Sequence, residues 1–386
     1  MHTRPISIGV IAITFVVSLL AMPAAGTQAL AATTTTFSGQ ATVLSGRVAG
    51  IPLPCIEGPA NCGGVVDTGP FDNAQQISES RSLICYDVPT QDCLVTPPNV
   101  TGQVLSVEVL HAAVVAGGDT SSAEASVANF SLNVAGQQIG ADILEARASA
   151  TCTNNGAVVR AGAETSVTIN GQKYTVGTSQ TQTIPLPGVG GVNLGVVIIN
   201  EGASGPHSGS SIDASALHIV IPAADTDLTV AKVHADVACA QNLGCPSKHA
   251  FVTGGGFINP AGTKLHFAVA GRNQAFWGHV LYKPAGIHVK DPYALVFNSL
   301  LDLNAALKTE PNLKFDNSKL RDLSKFEGAA ILKWSAADGS LLGEVLVIDM
   351  GEPGVDNDYF EIASLGSTTG ALGRLAGGNI QMHGKC

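Results

Sequence analysis

The chain has 386 residues, 45% hydrophobic but only 13% charged and 5% aromatic, with 44 Gly, 19 Pro and 8 Cys. Gly and Pro together exceed their average share of about 12%, and the low charge content excludes a coiled coil, a collagen and a charge-rich disordered tail. A net charge of −10 provides no field to attract phosphates, which speaks against nucleic acid as a partner.

Arg4 is the only charge ahead of the apolar run Ile6 to Met22, and small residues follow it, with an A-x-A site at Ala29, Leu30 and Ala31. A basic end, a short apolar core and a small-residue cleavage site describe a secretory signal peptide over residues 1–31. The alternative is an uncleaved anchor, since the run is at the lower limit of a membrane span. No other stretch approaches eighteen apolar residues, so the mature chain is expected to have no membrane span.

All eight Cys lie in the mature part, and an even count in an exported chain points to disulfides. Eight Cys allow 105 connectivities; the expected set pairs Cys55 with Cys62, Cys85 with Cys93, Cys152 with Cys239 and Cys245 with Cys386. The competing use of these thiols is zinc, but no C-x-x-C pair is present and the Cys-His spacings are irregular.

Composition divides the mature chain. Between Ala32 and Ser247 there are 6 basic and 17 acidic residues, whereas from Lys248 to Cys386 there are 13 of each. Both Trp and most aromatics fall in the second part. The expected organisation is therefore all-β with two β-sandwich-like domains, an acidic one over about 37–244 and a neutral one over about 248–386 that carries a partly helical insertion at about 293–326, joined at Gly244 to Lys248.

In the first part Phe130, Leu132 and Val134 alternate with polar residues, and Ile139, Ala141 and Ile143 follow a Gly-containing turn; period two is the half-buried strand signal. Val167 and Ile169 face Tyr174 and Val176 across Asn170-Gly171, a strong hairpin dipeptide. Ala216 to Ile221 and Leu228 to Val237 predict two further strands. With so few aromatics, Ala, Val and Ile must fill a thin two-sheet core, which favours a sandwich over a wide barrel. In the second part, strands are predicted at Phe251 to Ile258, Leu265 to Ala270, Phe276 to Tyr282, Ala329 to Ser335 and Gly343 to Met350. The Leu spacing between Tyr293 and Phe326 predicts an insertion with one or two short helices; the alternative is an irregular loop containing a strand.

The order Val104-Leu105-Ser106-Val107, Ile143-Leu144-Glu145-Ala146, Ala150-Thr151-Cys152, Asn170-Gly171, Ile184-Pro185-Leu186-Pro187, Ile199-Asn200-Glu201, Ala216-Leu217-His218 and Ala235-Asp236-Val237-Ala238-Cys239 resembles the choice-of-anchor P family. These are secreted or surface modules of bacteria and related microbes, and the likeness runs from about Phe37 to Cys239. A second group resembles the small β-domain that commonly follows such modules. It comprises Val252-Thr253-Gly254-Gly255-Gly256, Gly278-His279-Val280-Leu281-Tyr282, Asp349-Met350-Gly351-Glu352-Pro353-Gly354 with Asp358 and Phe360, and Gly377-Gly378-Asn379-Ile380-Gln381-Met382-His383. The insertion at Tyr293 to Phe326 is longer and richer in Lys and Leu than that resemblance implies. It implies a fold and an extracellular or envelope location, with no reaction attached.

Four carboxylates, Asp349, Glu352, Asp356 and Asp358, surround a Gly-containing turn, and hard cations such as Ca²⁺ take oxygen ligands from loops of this kind. The spacing is not that of an EF-hand, and the simpler alternative is a solvated acidic turn. His218 and His234 lie on adjacent predicted strands; with the turn centred near Ala224 and Asp225, His218 falls opposite Ala231 and His234 opposite Ser215, so the imidazoles do not pair. His266 and His279 are either core histidines or members of a ligand face. Trp277, Tyr282 and Trp334 are candidate sugar-stacking residues, with a packed core as the alternative. Two glycosylation sequons begin at Asn99 and Asn129. G-x-S-x-G, H-E-x-x-H and P-loop patterns are absent. The expected function is a secreted or envelope non-catalytic protein with a structural or adhesive role, its partners being envelope components, possible glycans among them; the alternatives are a carbohydrate-binding protein and a hydrolase with an unrecognised site.

Overall fold

A computed structural model describes residues 34–88, 104–240, 251–364 and 370–384. It is 66% strand and 8% helix, in antiparallel sheets, so the chain is all-β. The expected signal peptide, the Gly244 to Lys248 joint, the Asn99 sequon and Cys93, Cys245 and Cys386 lie outside the described residues. The described residues belong to one compact unit.

The first sheet runs in the order Gln182–Pro187, Asn193–Glu201, Ser211–Ile221, Thr226–Ala238, Thr36–Val48 and Ile51–Pro52, with Phe71–Ala74 also paired to Thr36–Val48. The middle sheet runs Ser204–Ser208, Gly156–Ile169, Gln137–Thr153, Thr120–Val134, Leu105–Gly117 and Ile77–Val88, with Gln172–Val176 beside Gly156–Ile169. One apolar core lies between them, built largely of Val, Ala, Leu and Ile, such as Val43, Leu110, Ala125, Ala146, Ala163 and Val230. Alternation along each strand supplies it: Ala123, Ala125 and Val127 point in while Ser122, Glu124 and Ser126 point out.

The hairpin at Asn170-Gly171 forms with Val167 opposite Tyr174 and Ile169 opposite Gln172. Both turn residues have positive φ, 49° and 83°, which a two-residue type I′ turn needs. Ala135 and Gly136, at 50° and 74°, close the preceding hairpin in the same way. The register of Ser211–Ile221 against Thr226–Ala238 differs from expectation. A 3₁₀ turn at Pro222–Ala224 and the left-handed Asp225 close the loop one residue earlier, so His218 faces Thr229 and His234 faces Asp213.

The third sheet has ten strands, in the order Ala275–Phe276, Tyr293–Phe297, Gly328–Ser335, Leu341–Asp349, Tyr359–Ser364, Ala371–His383, Phe251–Ile258, Leu265–Arg272, Gly278–Tyr282 and Ile287–Lys290. It curls until Asn273 bridges Ala294, around a core in which Phe267 and Phe360 stack at 3.9 Å. Tyr293–Phe297 is a strand of this sheet, so the excursion begins after it. It contains the helix Leu300–Leu307, capped by Ser299, and 3₁₀ turns at Asn317–Lys319 and Leu323–Lys325. Leu303, Leu313 and Leu320 anchor it on Ile331, Leu346 and Tyr359.

The convex side of the third sheet covers part of the outer face of the middle sheet. Val109, Ala128 and Ile143 meet Phe257, Ala268 and Leu281 there. The approach is close enough that a Cβ on Gly255 would lie 2.6 Å from Ser126 Oγ.

Cys55–Cys62 and Cys152–Cys239 are disulfides, and Cys85 is disulfide-bonded to a partner outside the described residues. The second bridge spans a sequence separation of 87, the first only 7. Loop-closure entropy then gives roughly 4.5 kcal/mol to Cys152–Cys239 and about 2.5 kcal/mol to Cys55–Cys62. The Cys152→Ser/Cys239→Ser variant should therefore lose more stability in denaturant titration than Cys55→Ser/Cys62→Ser.

Candidate functional site

The outer face of the middle sheet is a polar row. Ser82 is opposite His111, His111 opposite Ser126, Glu124 opposite Arg147 and Ser149 opposite Arg160. The third sheet brings Thr253, His279, His288 and His383 onto this row, and the closing motif Gly378-Asn379-Ile380-Gln381 pairs directly with Thr253-Gly254-Gly255-Gly256.

A relay of contacts results, hydrogen-bonded except at one link. Ser80 Oγ lies 3.0 Å from His279 Nδ1 and His279 Nε2 lies 2.6 Å from His111 Nδ1, whereas His111 Nε2 meets Glu124 Oε1 at 3.4 Å without hydrogen-bond geometry. Glu124 Oε2 accepts from Thr253 Oγ1 at 2.6 Å, and Thr253 Oγ1 is 2.7 Å from His383 Nε2. The hydrogen assignments follow from chemistry: an ionised carboxylate only accepts, so the single Thr253 hydroxyl hydrogen goes to Glu124. Thr253 must then accept from His383 Nε2–H, which leaves His383 Nδ1 as the bare nitrogen.

Burial pushes the Glu124 carboxyl up, but His111, Arg147 and Thr253 outweigh it and hold the group below its ordinary range. Burial drives His279 well below the usual imidazole value, reinforced by His111, His288 and Lys290. His266 and His288 are lowered by burial as well. His383 is lowered to about 4, first by burial and then by Arg147 and Arg160, against the opposing pull of Glu124. Arg147 donates to Glu145 and to Glu352, each at 2.6 Å, and Glu352 also accepts from Asn379 at 3.0 Å.

Beyond the covered part of the row, an open cleft of about 1100 Å³ remains. Its floor is the exposed end of the same face, with Ser122, Arg147, Ser149, Thr151 and Arg160, and its wall includes Phe251, Arg272, Gln381 and His383. His383, stacked on Phe251 at 4.8 Å, belongs both to the relay and to the cleft. A void of only about 10 Å³ lies behind it at Glu124 and Thr253.

The residues singled out in the sequence are dispersed. Asp349 accepts from the Gly351 and Met382 amides, and Asp358 from Met350 and Ile380. Burial and Asp349 push the Asp358 carboxyl well up. Glu352 is held by Arg147, and Asp356 is exposed near Arg321. These carboxylates serve backbone amides and arginines, and among the described residues no group of three or more His, Cys, Asp or Glu is placed to hold a metal ion. Tyr282 and Trp334 both belong to the third-sheet core, Trp334 packing over Gly343, while Trp277 donates to the Ser78 carbonyl, so the three do not form one stacking face. Phe276, 76% exposed beside Tyr293, is the outward aromatic of that region. His218 sits between Glu201 and Asp227, and His234 contacts Asp213. Of the named histidines, His279 enters the relay and His266 faces Glu108 at 3.8 Å. His111 and Glu124 carried no functional signal in the sequence beyond titratable residues set among Ala and Ser, and Thr253 and His383 stood only inside the glycine-containing segments of the second part. No family model, curated protein or solved structure matches this chain.

The lowered imidazoles give a pH dependence of definite sign. Unfolded histidines take up protons near pH 6.5, whereas folded His383 does so only near pH 4, so its contribution is full above the unfolded value and drains as pH falls toward 4. The raised carboxyls of Asp358, Glu344 and Glu361 act in the opposite direction, so the comparison must isolate the imidazole. Between pH 7 and 4.5, Tm should fall more steeply in the native chain than in His383→Gln; equal slopes would exclude this assignment.

Proposed function

We propose that this chain is a secreted or cell-envelope protein with a structural or adhesive, non-catalytic role, and that it engages an envelope component in the cleft between the middle and third sheets. The cleft is the observation that carries the proposal. It is concave, of the upper size typical of ligand sites, and lined by convergent hydroxyls and arginines around an apolar wall. The disulfides suit an oxidising compartment, and no helix among the described residues is long and apolar enough to cross a membrane. The resemblance to choice-of-anchor modules supports the same location.

A hydrolase is the second reading, favoured by one observation: His383 lines the cleft with Thr253 and Glu124 behind it. Against it, Thr253 is 2% exposed and its hydroxyl is committed to Glu124. Turnover of an envelope polymer that is abolished in His383→Gln would establish this reading in place of the first.

Gly205 lines the cleft, is exposed, and has open space where a Cβ would stand. Gly205→Trp should fill the cleft without disturbing the core. The full chain should sediment with isolated cell-envelope polysaccharide, and the variant should bind at least about tenfold more weakly at unchanged Tm, a loss of about 1.4 kcal/mol. Undiminished binding would remove the cleft from the proposal.

A further inference from the structure

The cleft has a charge character opposite to that of its surroundings. The stretch from Ala32 to Ser247 holds 17 acidic residues and 6 basic ones, yet two of those six, Arg147 and Arg160, line this one cleft, and Arg272 joins them from the third sheet. Arg147 is paired with Glu145 and Glu352. The other two are not: among the described residues neither Arg160 nor Arg272 forms an ion pair with a carboxylate, although eight other cationic side chains do. Arg160 is held in place through Nε, which donates to Ser149 Oγ at 3.2 Å, so its terminal nitrogens remain to face the cleft. Of the two carboxylates in the lining, Glu352 is the partner of Arg147, and Asp119 accepts from the Thr120 hydroxyl.

A planar guanidinium matches a carboxylate with two parallel hydrogen bonds, and Ser and Thr hydroxyls both donate and accept. Ser122, Thr151, Thr178 and Ser179 supply such hydroxyls along the same walls. Sugar hydroxyls need that two-way bonding, whereas the side chains of an acidic peptide do not. We infer that the cleft takes an acidic polysaccharide, with uronate-type carboxylates received by Arg160 and Arg272. The inference rests on the cleft being the binding site, and it adds the ligand's charge and chemical class.

The test uses the full oxidised chain and three probes: polygalacturonate, its fully methyl-esterified form, and poly-L-glutamate. Polygalacturonate should bind, the esterified polymer and poly-L-glutamate should bind at least tenfold more weakly, and Gly205→Trp should block binding. Arg160→Gln and Arg272→Gln should each weaken binding roughly 10- to 100-fold, as expected for the loss of a hydrogen bond to a charged group. Should Arg272→Gln lower Tm, Arg272→Lys, which retains the charge and the apolar stem but loses the fork, replaces it with the same expected direction. Equal binding of the esterified polymer, or unchanged affinity in the arginine variants while Gly205→Trp still blocks, would overturn the inference and leave the cleft as a neutral-glycan site. Tighter binding of poly-L-glutamate would overturn the saccharide class. Binding of no polysaccharide, acidic or neutral, would overturn the inference and the cleft proposal together.

Discussion

The burial of a polar sheet face constrains the rest of this structure. In a two-sheet sandwich the outer residues of each strand normally meet water, and Ser80, His111, Glu124 and Arg147 occupy such positions. Here the third sheet lies over them. An ionised group removed from water costs several kcal/mol unless partners replace the solvent, and stripping one partner from a buried pair typically costs about 3–5 kcal/mol. The third sheet therefore has to arrive with matching groups, and Thr253, His279, His383 and Glu352 are those groups. Apolar contact alone would permit sliding; the six-membered relay from Ser80 to His383 specifies one register between the layers.

Close approach explains where the glycines fall. A polar side chain such as Ser126 is short, so the covering backbone comes near it. Gly255 accommodates Ser126, and Gly378, at a φ of 88°, would with any Cβ collide with the Gly255 carbonyl. The Gly-Gly-Gly and Gly-Gly-Asn stretches are thus two adjacent strands of the covering layer, and their lack of side chains is what lets the polar layer close.

The cleft follows from incomplete cover. The third sheet screens the outer face over His111 and Glu124, but the strands Gln137–Thr153 and Gly156–Ile169 extend past it. Where cover stops, the same alternation that buries Glu124 presents Ser149, Thr151 and Arg160 to solvent, with Phe251, Arg272 and His383 as the adjoining wall. One polar row is accordingly structural at one end and available to a ligand at the other.

Period-two alternation by itself determined the all-β class, the Ala- and Val-rich core of the first two sheets, and the Asn170-Gly171 hairpin, because strand pleat and turn geometry are local properties of the chain. An even Cys count pointed to disulfides, and the expected pairs Cys55–Cys62 and Cys152–Cys239 are present, but the choice among connectivities belongs to the tertiary fold. Alternation states only which residues share a face, however, and assigns a polar face to water by default. That His111, Glu124 and Arg147 are covered, and that His279 and Thr253 meet His111 and Glu124, were decided by how the sheets stack. Stacking depends on the shapes and charges of surfaces that exist only once each sheet has formed, and no local pattern in the sequence encodes it.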